Sequence, residues 1–188
     1  MEIGITIRDA AWRKALPEAR RVTRKAALAA LALTADPPAH ELAIVLADDA
    51  LLRALNKAYR GVDKATNVLA FGYAGGEPSG AHGAPGAPGA HGAHGAHGAP
   101  GAPGAHGADD ILGDVVVALE SARAEADEAE RSLQAHLSHL VIHGVLHLLG
   151  YDHDTDRNAE AMEDLEIQAL AGIGIANPYT SSPAVIKK

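Results

Sequence analysis

The stretch "HGVLHLLGYDH", His143 to His153, holds three of the chain's eleven histidines. Residues four apart on a helix leave one face about a turn from each other, since four steps rotate it by about 400°. His143 and His147 therefore present two imidazoles to one point. Gly150 ends the helix and permits a left-handed backbone, so Tyr151-Asp152 can swing His153 back toward that point. Three imidazoles with Zn–N distances of about 2.0–2.1 Å leave a fourth position open, the pattern of a catalytic rather than a structural zinc site. A zinc ion held this way activates water at neutral pH. One Zn2+ per chain on His143, His147 and His153 is the expectation.

Upstream, the apolar pattern extends the same helix back to about Ser132. His139 and His136 lie on it four and seven residues before His143. The three-ligand site is complete without them, so they read as packing or supporting residues. The spacing His-x3-His-x2-Gly-x2-His is metzincin-like. Proteases of that kind carry a glutamate base directly after the first histidine, whereas this chain has Gly144. A peptidase reading has no base.

Around this helix the pattern is that of an α/β (α+β) chain. "EIGITI" (2–7), "ELAIVLA" (41–47), "TNVLAFGY" (66–73) and "ILGDVVVAL" (111–119) read as strands. Helices are expected from Pro17 to about Leu33, after an Asp48 or Asp49 cap through Arg60 with Gly61 closing it, over about 120–130, and over about 155–171. The architecture expected is a mixed, mostly four-stranded sheet packed with helices, the metal-binding helix lying centrally. One domain spans 1–172, and the stretch 177–188 reads as a flexible tail.

Residues 81–107 interrupt that domain with nine tripeptides, each Ala-His-Gly or Ala-Pro-Gly. Glycine at every third place resembles collagen, but such a short run between two globular halves reads as a low-complexity insertion in a surface loop. Its five histidines lack anything to fix ligand geometry. The chain has no cysteine, which excludes disulfides, thiolate zinc sites and cysteine nucleophiles. No secretory leader or membrane-spanning run is evident, so a cytoplasmic protein is expected. The net charge of −8 argues against a nonspecific nucleic-acid coat. Arg20, Arg21, Arg24 and Lys25 nevertheless recur at one-turn spacings on the first long helix. They read as either a solvated face or a stripe that tracks phosphates.

With these residues in view the chain resembles the YbeY family of endoribonucleases. "HGVLHLLGYDH" resembles the family signature at nearly every place. "LNKAYRGVDKATNVLAF" (55–71) and "LGDVVVAL" (112–119) are similar to two further family blocks, apart from Ala70, where the family commonly has serine. The resemblance covers most of 1–172 outside the repeat. It implies zinc on His143, His147 and His153, and Arg60 as the basic residue facing the scissile phosphate. A guanidinium suits that role because it clamps two oxygens of a phosphoryl group at once. Asn67 reads as a strand-start residue or a weak RNA contact, and Asp114 as an interior anchor or a contact to a partner. The implied activity is zinc-dependent, single-strand-specific cleavage of ribosomal RNA precursors in 16S 3′-end maturation, with a role in ribosome quality control. The implied partners are single-stranded ribosomal RNA and the small ribosomal subunit with its proteins, with no DNA and no membrane. Two rival readings are a non-catalytic assembly factor with structural zinc and a zinc hydrolase of small molecules.

Overall fold

The computed structural model describes residues 2–34, 41–72, 79–83 and 111–180. Strand β1 (Glu2–Ile7) alternates as its sequence does, with Ile3 and Ile5 buried between exposed Glu2, Gly4 and Thr6. The helix expected from Pro17 is α2 (Ala19–Leu31), and a short helix outside that expectation, α1 (Ala11–Ala15), precedes it. The break falls at Leu16, which is extended (φ −146°, ψ 88°) because the ring of a following proline disfavours the helical conformation. The short α1 delivers the only tryptophan: Trp12 is fully buried and its indole N–H donates to the Ala47 carbonyl at 2.8 Å.

Strand β2 (Glu41–Ala47) leads into α3 (Asp49–Arg60), where the Asp48 carboxylate accepts the Leu51 N–H at 2.8 Å. Gly61 closes that helix at φ 69°. Then come β3 (Val68–Gly72), β4 (Ser79–Gly83), β5 (Ile111–Ala118), α4 (Leu119–Glu128), α5 (Leu133–Leu148) and α6 (Asp156–Gly172). The sheet order is β1-β2-β5-β3-β4. The first three strands are parallel, β3 is antiparallel to β5, and β4 is antiparallel to β3. The four expected strands are present and β4 extends the sheet at its edge. It takes in the first three residues of the tripeptide repeat, because the open edge of β3 offers backbone groups to any extended chain beside it. The rest of 81–107 lies outside the described residues.

The sheet is covered unequally. Val68, Val115 and Val117 join Ile3, Ile5, Leu42, Ile44 and Leu46 on the face that packs against α2, α5 and α6. Leu69, Phe71, Val116 and Ala118 form a smaller core with Leu52, Leu55 and Tyr59 of α3 on the other face. Near the free edge of β1 three of the four basic residues donate to backbone. Arg20 and Arg24 donate to the Ile5 and Ile3 carbonyls, Lys25 donates to the Ile173 carbonyl, and Arg21 pairs with Glu18. All four residues stay exposed. Among the described residues no helix is long and apolar enough to cross a membrane.

Helix α5 runs through the middle, on β3 and β5 and flanked by α2, α4 and α6. Every residue from His136 to His147 is buried. Its close approach to the sheet depends on Gly144, where a Cβ would stand 2.7 Å from Val115 Cγ1. The position that a metzincin gives to its glutamate thus faces the sheet, with no room for any side chain.

Candidate metal centre

Helix α5 is capped at its start by Ser132, whose hydroxyl accepts the Ala135 N–H. Its other end builds the site. Gly150 takes φ 91°, its N–H reaches the His147 carbonyl at 3.0 Å, and the Tyr151 N–H reaches the Leu146 carbonyl at 3.1 Å. This paired closure satisfies carbonyls that the helix end would otherwise leave bare. It also reverses the chain, so that the ring of His153 stacks on that of His143, centroids 5.7 Å apart. His143, His147 and His153 each offer a nitrogen, and these atoms all lie within 4.8 Å of one another.

Two of the rings turn Nδ1 to an acceptor. The Glu166 carboxylate accepts from His143 Nδ1 at 2.7 Å, and the Tyr151 carbonyl accepts from His147 Nδ1 at 3.0 Å. In neutral rings, protons at both Nδ1 atoms leave lone pairs on both Nε2 atoms, which face each other at 3.0 Å. Two acceptors at that distance call for a proton or a cation between them. Nitrogens bound to one tetrahedral zinc sit about 3.3 Å apart, so the donor set fits the ion. Among the described residues, the cluster comprises these three histidines alone. His139 is turned to Glu166, and an Asp152 oxygen accepts the His153 N–H at 2.8 Å.

Glu166, on α6, was not foreseen. It is 1% exposed and takes donors on both oxygens: His143 on Oε1, and His139 (2.7 Å) and Tyr179 on Oε2. Burial alone would raise its pKa, but the hydrogen bonds from His139 and His143 outweigh that and hold it at about 2. The sequence did carry a signal. Glu166 falls on the stripe of α6 that buries Met162, Ala169 and Leu170, and a carboxylate on an apolar stripe needs a partner. The cavity over the site has a volume of about 230 Å3 and is lined by His143, His153, Met162, Glu166 and Tyr179 among others. A larger one of about 360 Å3, at the other end of α5 beside His136 and His139, touches none of the three ligands.

The remaining expected residues lie elsewhere. Arg60 is the half-exposed last residue of α3, which packs on the opposite face of the sheet from α5. The Arg60 turn and the ligand end of α5 do share one end of the sheet. Tyr59 packs edge-on against Phe71, and the neighbouring Gly113 lies against Leu148. Arg60 does not line the histidine cavity. Asp114, in register with Phe71, is half-buried on the α3 face. Asn67 is buried and spent internally: its amide NH2 donates to Glu125 at 2.7 Å and its carbonyl oxygen accepts the Val68 N–H at 2.7 Å.

The expected loose tail begins otherwise. Pro178 offers its carbonyl to Arg131, the Tyr179 N–H turns back onto Asn177 Oδ1 at 2.7 Å, and the Tyr179 hydroxyl reaches Glu166. Residues 181–188 lie outside the described residues.

Comparison with known proteins agrees along most of the chain. Residues 6–174 match the family model described as endoribonuclease YbeY. Curated proteins of that name are similar over most of its length. The one from Paramagnetospirillum magneticum is 42% identical, covering 95% of this chain and 96% of its own. That of Azorhizobium caulinodans is 41% identical over the same shares, 95% and 96%. That of Rhodopseudomonas palustris strain HaA2 is 41% identical over 93% of this chain and 79% of its own. The chain belongs to the endoribonuclease YbeY family.

Proposed function

We propose that this protein is a zinc-dependent endoribonuclease that cuts single-stranded ribosomal RNA, with His143, His147 and His153 as the ligands. The observation that carries the reading is the cluster of three histidine nitrogens within 4.8 Å of one another, with His143 and His147 turning Nδ1 to Glu166 and to the Tyr151 carbonyl and Nε2 toward each other. When bound, the ion supplies Lewis acidity and an activated water. The protein's own residues do the rest. Glu166 fixes the ring of His143, the turn at Gly150 presents His153, and three protein ligands would leave a bound ion room for a reacting group. Arg60 takes phosphate oxygens of a strand that crosses the shared end of the sheet, where a flexible single strand can bend and a duplex cannot. The absence of a fourth protein ligand among the described residues favours an enzyme over a structural zinc site.

The finer reading follows the family resemblance: maturation of the 16S 3′ end and quality control on the small subunit, in the cytoplasm. Asp114, on the half-covered α3 face, is the contact assigned to a small-subunit protein. The test combines elemental analysis with cleavage of a single-stranded RNA, with and without chelator. Wild type should carry one zinc per chain and lose cleavage on its removal. Arg60→Ala should keep the zinc and the melting temperature while cleavage falls by roughly 100-fold, the scale for removing one preorganised transition-state donor. Arg60→Lys should restore part of it, because a point charge lacks the two-pronged contact. Normal cleavage by Arg60→Ala would remove the arginine from the reaction. A zinc-loaded wild type that cuts no RNA would leave the assembly-factor reading.

A further inference from the structure

Tyr179 stands 26 residues beyond the last histidine of the site, in a segment whose sequence shows no periodicity, yet its hydroxyl ends inside the site. We infer that Tyr179 is a positioning residue for the metal centre: through Glu166 it holds His143 with Nε2 toward the cavity, and Asn177–Thr180 is a strap that delivers it. The inference rests on the zinc reading above.

The strap is built rather than draped. Beyond α6, Gly174 takes φ 79° and the Ile175 N–H returns to the Leu170 carbonyl at 2.9 Å, which reverses the chain. Arg131, just before the Ser132 cap of α5, grips the Pro178 carbonyl. The Asn177 side chain accepts the Tyr179 N–H at 2.7 Å, and the Thr180 hydroxyl donates to the Asn177 carbonyl at 3.1 Å. The ring of Tyr179 then meets His139 edge-on, centroids 5.7 Å apart, and forms part of the cavity wall beside His143 and His153.

The hydroxyl matters because of what Glu166 must do. A carboxylate that accepts only from His143 can rotate and take the imidazole with it. Here Oε2 is fixed by two donors, His139 and Tyr179, from different elements, so Oε1 stays in line with His143 Nδ1. Groups that orient a ligand in this way are worth about 10–100-fold in metal affinity. Tyr179 acts one bond further out, so about tenfold is expected.

The experiment compares wild type with Tyr179→Phe and Glu166→Gln, purified without metal and titrated with zinc against a chromophoric chelator, then with cobalt read by its visible absorption. Tyr179→Phe keeps the ring and its packing, so the melting temperature of the metal-free protein should hold. Zinc affinity should fall about tenfold, the cobalt bands should shift, and kcat for RNA should drop with KM unchanged. Glu166→Gln should do the same more strongly. Tyr179→Phe with wild-type zinc affinity and an unaltered cobalt spectrum overturns the strap and leaves the metal reading standing. A lowered melting temperature with neither of those changes also overturns it, because the tyrosine then only packs. A wild type that binds neither ion overturns both.

Discussion

The two halves of α5 carry the same side chain to different ends. In the first half, His136 and His139 point Nε2 at carboxylates, Glu125 at 2.8 Å and Glu166 at 2.7 Å. In the second half, His143 and His147 turn Nδ1 to an acceptor and keep Nε2 for each other. All four rings are buried on one helix, so burial does not separate ligand from support. What separates them is which nitrogen is spent inside the protein. A histidine whose reaching nitrogen is consumed by a carboxylate stabilises its neighbourhood, and one anchored by its near nitrogen has its far one to give.

This contrast fixes the largest expected effect. His143→Ala, His147→Ala or His153→Ala should each lose zinc and cleavage together, since three ligands leave no redundancy. His136→Ala should keep a full equivalent of zinc, measured by elemental analysis after gel filtration. If His136→Ala emptied the site, or His147→Ala kept it full, the division of the helix would be wrong.

His139 lies on the border and should behave so. It is not a ligand but shares Glu166 with His143. His139→Ala should keep the stoichiometry and weaken zinc by about 10–100-fold in chelator competition, because it removes one of the donors that fix the carboxylate. Affinity equal to wild type would show that Tyr179 and His143 hold Glu166 without it.

Much of this was legible in the sequence because it is local. The ligand spacing, the break at Gly150 and the alternation of β1 are each written within a dozen residues, and each physical rule involved acts over one or two turns. The four expected strands, the Asp48 cap and the left-handed Gly61 are of the same kind. What the sequence concealed is contact between distant segments. Glu166 lies in a helix already rich in acids, Tyr179 in an aperiodic tail, and β4 partly in a repeat whose pairing is decided by the open edge of β3. Arg60 shows the same limit from the other side. Its motif is readable, but that α3 would cover the face away from α5 is a matter of chain path. Asn67 likewise reads as a polar residue before a strand, and its bond to Glu125 becomes visible only when α4 is in place.

Gly144 tests how tightly the ligand helix is seated. Its absent side chain lets α5 approach Val115, where a Cβ would stand 2.7 Å from Cγ1 and 3.2 Å from Cγ2. Gly144→Ala gains helix propensity of up to about 1 kcal/mol, against an overpacking cost of about 1–3 kcal/mol. A β-branched valine on a strand has little freedom to yield, so a net loss is expected, read as a lower urea midpoint at unchanged slope. Zinc stoichiometry should survive, because the push is directed at the sheet and away from the cavity. A variant more stable than wild type would mean that the helix and sheet can separate at little cost.

The smallest effect belongs to the supporting half, and pH exposes it. Burial would raise the pKa of Glu125, but its hydrogen bonds from His136 and Asn67 outweigh that and hold it below the ordinary 4.5. A carboxyl depressed on folding adds stability that is complete above its unfolded pKa and is lost as pH falls through the folded one. Glu125→Gln keeps an oxygen for the Asn67 amide and removes the charge. In metal-free protein, wild type should therefore melt above the variant near pH ~7, with the gap closing as the pH drops below ~4. Since the side chain is 40% exposed, solvent screens the interaction and the gap should be modest. Zinc affinity at neutral pH should be the same in both proteins, since Glu125 touches His136 and Asn67 and none of the three ligands. A gap of constant size at every pH would show that the charge of Glu125 contributes nothing. A large fall in zinc affinity would show that the two halves of α5 are coupled after all.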